Sequence, residues 1–239
     1  MTQTEWLPVP GIRLAAVEAG IKKANRKDLV VLELSEDSRV SGVFTLNRFC
    51  AAPVQVAKSR LAAGAPKYLM INTGYANAGT GKKGMENCLA SCRLLADAAG
   101  CAEDQILPYS TGVIGEQFPL PAFEKGLPNA LAVLDEHHWG RASEGIMTTD
   151  TYPKLTSRRV EIDGVPITVT GMAKGSGMIK PNMATMLGFI ATDAPIAKPL
   201  LDQWVKTLAD KSFNRVTVDG DTSTNDACML ISTATAQMP

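Results

Sequence analysis

Histidine is scarce in this sequence, and neither sign of charge is in excess. The 239 residues include two histidines, His137 and His138, which are adjacent and have no polar strand end around them. No Ser-His-Asp triad is therefore predicted, and any acyl chemistry would need a base other than histidine. The 24 Lys and Arg residues balance 24 Asp and Glu residues, which argues against nucleic acid or an anionic membrane as a main partner.

Long apolar runs are also missing, and cysteines are few. No run reaches the length of a membrane span, and the first eight residues lack the basic start and apolar stretch of a signal peptide. The five cysteines are odd in number and irregularly spaced, so they predict no disulfide framework. Cys88 and Cys92 lie one helical turn apart, but no second pair completes a metal site. We expect free thiols in the reducing cytoplasm, and no metal.

The chain does contain a mixture of strand and helix patterns, which indicates an α/β protein. Hydrophobic residues make up 45% of the sequence, as is typical of a folded globular protein. Apolar or alternating runs predict strands over residues 29–34, 67–72, 183–191 and 228–236, and a hairpin over 160–173 that turns at Asp163 and Gly164. Helical spacing predicts helices over residues 84–99, 121–134 and 198–210, the second with Pro121 in its first turn.

The last predicted strand is followed almost at once by Pro239. A domain seldom ends on what looks like a central strand without a cap. We therefore expect further residues to follow residue 239.

Residues 72–81 are the first of four polar segments that follow or interrupt predicted strands, where α/β proteins place ligand groups. The segment is similar to a phosphate-binding P-loop, but Lys83 stands where that motif needs Ser or Thr. A small-residue turn packed against the sheet is the simpler interpretation, and a P-loop kinase remains an alternative.

The second segment, residues 110–115, places two hydrogen-bond donors side by side. The Thr111 hydroxyl and the Gly112 backbone amide are suited to stabilising the negative oxygen of a tetrahedral intermediate. A helix-capping turn is the more common role of a Ser-Thr-Gly sequence taken alone.

The third and fourth segments are rich in side-chain oxygens. Residues 145–154 favour a ligand-facing loop, with a solvated turn closed by Pro153 as the alternative. Residues 219–226 are similar to a calcium loop, but Thr224 and Leu230 stand where an EF-hand needs Gly and Glu. An Asx-rich turn that holds the neighbouring backbone is therefore favoured.

Residues 174–187, Lys-Gly-Ser-Gly-Met-Ile-Lys-Pro-Asn-Met-Ala-Thr-Met-Leu, are the most informative stretch. A Pro-Asn corner runs into a predicted strand, so Thr185 would lie where a bent backbone enters a sheet. Attack of its hydroxyl on the carbonyl of Ala184 would cut the chain and leave Thr185 as a new N-terminus, whose amine can serve as its base. A core threonine on a strand is the commoner interpretation of an isolated Ala-Thr pair, so the other motifs must decide.

These motifs, in this order, strongly resemble the ornithine acetyltransferase family of arginine biosynthesis, also called glutamate N-acetyltransferase. The resemblance runs from about Pro10 to the end of the chain. The segments that carry it are residues 72–81, 110–115, 148–151, 174–187 and 219–226.

The resemblance implies a layered α/β/β/α sandwich like that of the self-processing aminopeptidases, forming one acetyltransferase domain over residues 1–239. It implies cleavage between Ala184 and Thr185 into an alpha chain, 1–184, and the start of a beta chain, 185–239, in a heterotetramer. Thr185 would take acetyl from N-acetylornithine and pass it to glutamate. Some members also use acetyl-CoA as donor, and no other cofactor is implied.

The resemblance also assigns residue roles. Thr185 is the expected nucleophile, Thr111 and Gly112 form the oxyanion hole, and Thr151, Lys174 and Thr185 bind substrate. Family members continue past this C-terminus with a substrate-binding glutamate, which leaves the activity of a 239-residue chain open. The alternatives are a self-cleaved aminopeptidase-like hydrolase and a non-catalytic binding fragment.

Overall fold

The computed structural model describes residues 6–64, 66–180 and 186–238, and the account that follows concerns these residues. The strands are β1 (Ile12–Val17), β2 (Leu29–Leu34), β3 (Arg39–Phe44), β4 (Tyr68–Tyr75), β5 (Ile106–Val113), β6 (Lys154–Ile162), β7 (Val165–Lys174), β8 (Leu187–Thr192) and β9 (Ala227–Ser232). The α-helices are α1 (Ala52–Ala63), α2 (Gly81–Ala99), α3 (Leu120–Ala132), α4 (Trp139–Gly145) and α5 (Lys198–Lys211).

The described strands form two sheets. The first is four-stranded, in the order β1-β2-β4-β5, and the second is five-stranded, in the order β3-β9-β8-β7-β6. Each sheet contains one parallel pair, β4 with β5 and β8 with β9, and its other neighbours are antiparallel. The carboxyl ends of β4 and β5 therefore lie at the same edge of the first sheet.

The sheets pack face to face through a core of mainly apolar side chains, which also holds the buried hydroxyl of Tyr109. Along β2, Val30 and Leu32 point into this core, whereas Leu29 and Val31 point to the opposite face, as the two-residue period of a strand requires. Tyr109 of β5 meets Phe189 of β8 edge to face, with ring centroids 5.2 Å apart.

Helices cover the outer face of each sheet. The α2 and α3 helices bury Leu95 and Leu127 against the first sheet, and α5 buries Leu201 and Val205 against the second. The predicted α/β/β/α sandwich is thus confirmed as four layers. The α1 and α4 helices contact both sheets at the sides of the sandwich.

The predicted elements that fall on described residues are confirmed in type. The largest differences at their ends are in β6, which begins at Lys154 rather than at residue 160, and in β9, which ends at Ser232 rather than at residue 236. The residues 183–185 at the start of one predicted strand lie outside the described residues, and β8 begins at Leu187. Five elements have no counterpart in the sequence-based prediction: β1, β3, β5, α1 and α4. Within the described ranges, no helix combines the length and the apolar composition needed to cross a membrane.

Candidate active site

The site forms where β4 and β5 end side by side. These parallel strands pair in register, with Thr73 opposite Thr111 and Gly74 opposite Gly112, and the register shifts just beyond, at Tyr75. Polar residues end both strands because the chain leaves the apolar core at this edge. The arrangement brings the residues 72–75 and 110–113, which sequence analysis had marked separately, into one place.

Gly112 allows the two strand ends to approach more closely than any side chain would permit. A Cβ atom at this position would lie 2.3 Å from the carbonyl carbon of Gly74, and the residue has φ +135°. Such contacts do not occur in real structures, so the position requires glycine. Gly112 therefore lies directly against the Gly74 backbone, and both glycines line the cavity.

Lys174 joins the second sheet to this strand end. Its Nζ atom donates a hydrogen bond to Thr111 Oγ1 across 2.9 Å. Lys174 is the last residue of β7 and pairs with Leu187, the first residue of β8. Burial lowers the pKa of the Lys174 ammonium, while the carboxylates of Asp150 and Asp226 act in the opposite direction.

Asp150 holds the segment that follows Lys174. Its Oδ1 atom accepts hydrogen bonds from Lys154 Nζ at 2.6 Å and from the Gly175 amide at 2.8 Å. Its Oδ2 atom accepts one from the Thr148 amide at 3.2 Å. Burial alone would raise the pKa of Asp150, but these donors outweigh it and lower the pKa. Asp150 is therefore an anchoring carboxylate for two loops.

Asp219 fixes the next part of the same segment, at Met178 and Ile179. Its carboxylate accepts hydrogen bonds from the backbone amides of Met178 and Ile179, the latter at 2.9 Å. Hydrogen bonding to the Met178 amide lowers the pKa of Asp219. The Asp219 Oδ1 atom also accepts the Asp221 amide at 3.3 Å, which confirms the predicted Asx-rich turn at this position.

Asn225 connects the start of β9 to the site. Its Nδ2 atom donates to the carbonyl oxygens of Ala76 at 2.6 Å and Ser110 at 2.9 Å. Thr224 Oγ1 donates to Asn225 Oδ1 at 2.5 Å. One buried amide side chain thus fixes the ends of β4 and β5 against the second sheet.

Asp226 is the most perturbed acid near the site. Burial raises its pKa to about 8, against the smaller opposing effects of Ser223 and Lys174. Among the described residues, no group donates a hydrogen bond to its Oδ2 atom. The next residue, Ala227, donates its amide to the Met186 carbonyl at 3.1 Å, so Asp226 lies beside the start of β8.

The loop of residues 18–27, between β1 and β2, brings positive charge to the site. The buried carboxylate of Asp28 accepts the backbone amides of Ala19 at 2.8 Å and Ile21 at 2.6 Å, which fixes the loop. Arg26 donates to the carbonyl oxygens of Met147 and Thr148. These contacts fix the loop against residues 147 and 148, and Lys22, Lys23 and Arg26 line the site.

Together these elements enclose a cavity of about 470 Å³, large enough for an amino-acid derivative. Cations and neutral donors dominate its polar lining. The described lining residues are Lys22, Lys23, Arg26, Asp28, Thr73, Gly74, Ala76, Thr111, Gly112, Val113, Ile114, Thr148, Thr149, Lys174, Gly177, Met178, Ser223, Thr224 and Asn225.

Three of the residues that sequence analysis put forward meet at this cavity: Thr111, Gly112 and Lys174. Thr151 is exposed and does not line it, although Thr148 and Thr149 of the same loop do. Ala184 and Thr185 lie outside the described residues. The roles of all of these residues stay predictions.

Several lining residues were not put forward from the sequence. Lys22, Lys23 and Arg26 belong to a loop between a strand that was not predicted and one that was. The sequence shows a Lys22-Lys23 pair two residues after Gly20, but a basic pair alone does not indicate that a loop faces a ligand. Asn225 was part of a marked motif, but nothing in the sequence indicated its two carbonyl partners.

The histidines lie elsewhere. His137 is exposed, and the His138 ring contacts the Val133 carbonyl at 3.1 Å near the start of α4. Within residues 6–64, 66–180 and 186–238, no group of three or more His, Cys, Asp or Glu side chains is placed to hold a metal ion. All five cysteines are free thiols.

The four-layer α/β/β/α sandwich, with its cavity at the edge of the sheets, places the chain in the fold class that includes the self-processing aminopeptidases. The structure of the L-aminopeptidase D-Ala-esterase/amidase from Ochrobactrum anthropi, described as a variant of the Ntn hydrolase fold, matches with a TM-score of 0.55. The alignment covers 96% of this chain and 74% of that one at 15% identity, so the likeness concerns the fold alone.

The chain belongs to the ArgJ family, whose model matches residues 13–238. It is 55% identical over 232 residues to the arginine biosynthesis bifunctional proteins ArgJ of Pseudomonas syringae pv. tomato and Pseudomonas fluorescens. The match covers 97% of this chain and 57% of each relative, so the chain spans little more than half of their length.

Two solved structures agree with this membership. The arginine biosynthesis bifunctional protein from Bacillus halodurans matches at TM-score 0.65 and 32% identity, over 74% of this chain and 92% of that one. The Mycobacterium tuberculosis ornithine acetyltransferase, solved with ornithine, matches at TM-score 0.63 and 30% identity, over 73% and 92%.

Proposed function

We propose that this chain carries the acyl-transfer site of a glutamate N-acetyltransferase, which moves acetyl from N-acetylornithine to glutamate. The observation that carries the proposal is the cluster of Thr111, Gly112 and Lys174 in one cavity, with Lys174 on β7, the strand that pairs with the start of β8. Membership of the ArgJ family and the ornithine bound to the Mycobacterium tuberculosis relative support the choice of substrates.

The proposed nucleophile is Thr185, freed by cleavage between Ala184 and Thr185. Thr185 is covalently joined to Met186, whose carbonyl accepts the Ala227 amide beside Asp226. Lys174 pairs with Leu187, only two residues further along the chain. Because Thr185 is bonded to Met186, it is two residues before Leu187, the first residue of β8. Leu187 pairs with Lys174, which lines the cavity.

In the first half-reaction, the Thr185 hydroxyl attacks the acetyl carbonyl of N-acetylornithine and its own α-amine takes the hydroxyl proton. The Thr111 hydroxyl and the Gly112 amide donate to the developing oxyanion. The C–N bond then breaks, the proton passes to the leaving amine, and ornithine departs. The product is an acetyl ester on Thr185.

In the second half-reaction, the amine of glutamate attacks this ester. Its proton passes through the Thr185 α-amine to the threonine oxygen, which leaves as the restored hydroxyl. N-acetylglutamate is released. We propose acetyl-CoA as a second acetyl donor: the Thr185 hydroxyl attacks its thioester, the thiol leaves, and the same acetyl ester forms on Thr185. No other cofactor is proposed.

We also propose that residues 1–239 act as one domain, cut into an alpha part, 1–184, and a beta part, 185–239. The β8 and β9 strands belong to the second part, yet β8 pairs with β7 and β9 pairs with β3 of the first. These two ladders, with the core between the sheets, would hold the parts together after cleavage. Association of such pairs into a heterotetramer is part of the proposal.

The test is the mass of the full-length gene product before and after incubation with N-acetylornithine. We expect two fragments, the second beginning at Thr185, and an increase of one acetyl group on that fragment. Thr185→Ala should give an uncut chain that takes up no acetyl. Initial rates should follow parallel-line, ping-pong kinetics, whereas intersecting lines or release of free acetate without glutamate would contradict transfer through Thr185.

A further inference from the structure

The ion pair between Lys22 and Glu116 lies at the rim of the cavity, where Lys22 lines the cavity and Glu116 adjoins it through that lysine. Lys22 Nζ donates to Glu116 Oε2 at 2.8 Å and lies 4.5 Å from the centroid of the Tyr75 ring. Lys22 comes from the loop between β1 and β2, whereas Glu116 follows the end of β5. Neither charge has a role in the transfer steps described above.

The stem of Lys22 lies against the strand end that adjoins the proposed oxyanion hole. A Cβ atom at Gly74 would be 2.8 Å from Lys22 Cβ, so this glycine makes room for the lysine. Gly74 is also the strand partner of Gly112. Lys22, Gly74 and Gly112 all line the cavity.

The other cations at the cavity whose partners are known are already engaged. Lys174 donates to Thr111, and Arg26 donates to the carbonyl oxygens of Met147 and Thr148. The Lys22 ammonium is different because its partner is a half-exposed carboxylate. Such ion pairs are weak, so a substrate charge can replace either partner at little cost.

The proposed reaction, on which this inference rests, requires a site of this kind. Its donor carries an ammonium group at the end of its side chain, and its acceptor carries a carboxylate at nearly the same place. Both substrates must occupy one cavity in turn with their reacting nitrogen at the same point. A fixed charge of either sign would bind one substrate and repel the other.

We propose that Lys22 and Glu116 form a two-sign subsite for the side-chain ends of the substrates. Glu116 receives the side-chain ammonium of the acetylated diamino acid, and Lys22 receives the side-chain carboxylate of the acceptor. Each substrate takes the place of one member of the resting pair.

The test is steady-state kinetics of the full-length protein, with the KM of each substrate measured separately. Lys22→Met should raise the KM for glutamate by roughly twofold to fivefold, as expected for the loss of one partly exposed ion pair. It should leave the KM for N-acetylornithine unchanged or lower it, because Glu116 becomes free. Glu116→Gln should do the reverse.

The Lys27–Glu144 pair is a matched control. Lys27 Nζ lies 2.5 Å from Glu144 Oε2, and the side chains are 28% and 54% exposed, against 29% and 51% for Lys22 and Glu116. Lys27 belongs to the same loop but does not line the cavity. Lys27→Met and Glu144→Gln should change neither KM.

Isothermal titration calorimetry with glutarate, a dicarboxylate without an amine, tests the two-sign subsite separately from the proposed acetyl transfer. We expect Lys22→Met, but not Lys27→Met, to weaken glutarate binding roughly twofold to fivefold. If the unaltered protein transfers no acetyl, the proposed function fails while glutarate still tests Lys22. If transfer proceeds, three outcomes would show that the two-sign subsite is wrong. Lys22→Met would change the KM of both substrates equally, change neither KM, or change the KM of acetyl-CoA alone.

Discussion

Lys174 and Thr111 are joined by a 2.9 Å hydrogen bond that connects two sheets which share no strand. The ammonium has no lone pair, so it must donate, and the threonine oxygen accepts. This leaves the Thr111 hydrogen free to be donated to another group. A hydroxyl that is held by a cation on one side is thus prepared to donate on the other, as an oxyanion hole requires.

Replacing Thr111 by valine should therefore slow acetyl transfer, and it should also cost some stability because the buried Lys174 ammonium loses this acceptor. Valine keeps the shape of threonine but removes the hydroxyl, and loss of one oxyanion donor costs about 3 kcal/mol of transition-state stabilisation. We expect kcat to fall by roughly a hundredfold or more, with a small change in KM. Thr111→Ser, which keeps the hydroxyl, should recover most of the activity, and an unaltered kcat for Thr111→Val would contradict the assignment.

Gly112 should not tolerate even a methyl group. In Gly112→Ala the new Cβ would lie 2.3 Å from a backbone carbon, and the strand ends would have to separate. We expect a loss of about 2–4 kcal/mol in the free energy of unfolding, from overpacking and backbone strain together. Urea denaturation measures this loss.

Gly115→Ala is the comparison for that variant. Gly115 has φ +85°, but a Cβ atom added there would have no neighbour within 4 Å among the described residues, so backbone strain acts without a clash. We expect a loss of about 1 kcal/mol. Equal losses in the two variants would show that the contact between Gly112 and Gly74 does not matter.

The elements that sequence analysis identified are those in which the hydrophobic pattern of a strand or a helix runs without interruption. The buried run of β2 and the α2 helix, with Cys92, Leu95 and Ala96 on one face, carry their pattern in nearly every residue. β5 was missed because Pro108, Ser110 and Thr111 interrupt its apolar run, although all three are buried. Thr111 lines the site, so one of the polar residues that hide the strand is also part of the candidate site.

The site itself was predictable in parts. Thr111, Gly112 and Lys174 could be marked from their motifs, since each motif is continuous in the chain. Lys22 could not, because its place at the cavity depends on Gly74, which is 52 positions away by their residue numbers. Contacts of this kind follow from strand order and register, which a single sequence does not reveal.

Asp226 should make the protein less stable as the pH rises. Burial raises its pKa from 3.8 to about 8, so the native state holds a proton that the unfolded chain releases near pH 4. The stabilisation is complete below pH 4 and is lost progressively between pH 4 and pH 8, with a limiting slope of about 1.4 kcal/mol per pH unit. Asp226→Asn, which is neutral throughout, should flatten this part of the pH profile of unfolding free energy.

Asp202 provides a control of opposite sign for the pH experiment. Burial would raise its pKa, but hydrogen bonds from Lys198 and Ser41 outweigh burial and lower it. Its contribution is therefore present above its unfolded pKa and disappears only in stronger acid. Asp202→Asn should leave the slope between pH 5 and pH 8 as it is in the unaltered protein. The same slope in Asp226→Asn would contradict a buried, protonated Asp226.

Asp219 should control how fast the chain cuts itself, because it holds the backbone just before the proposed cleavage site. Its carboxylate accepts the amides of Met178 and Ile179, and Thr217 Oγ1 donates to the Ile179 carbonyl at 3.0 Å. Misplacing reacting atoms by about 1 Å can cost a hundredfold in rate. We expect Asp219→Ala to slow cleavage by roughly tenfold to a hundredfold.

The rate can be followed by the appearance of the fragment that begins at Thr185 after a pulse of cell-free synthesis. Thr217→Val removes one neutral hydrogen bond to the same residue and should have a much smaller effect. Asp219→Asn keeps one acceptor oxygen and should lie between the two. If Asp219→Ala is cut as fast as the unaltered chain, the carboxylate only shapes the loop and the scissile bond is positioned by other contacts.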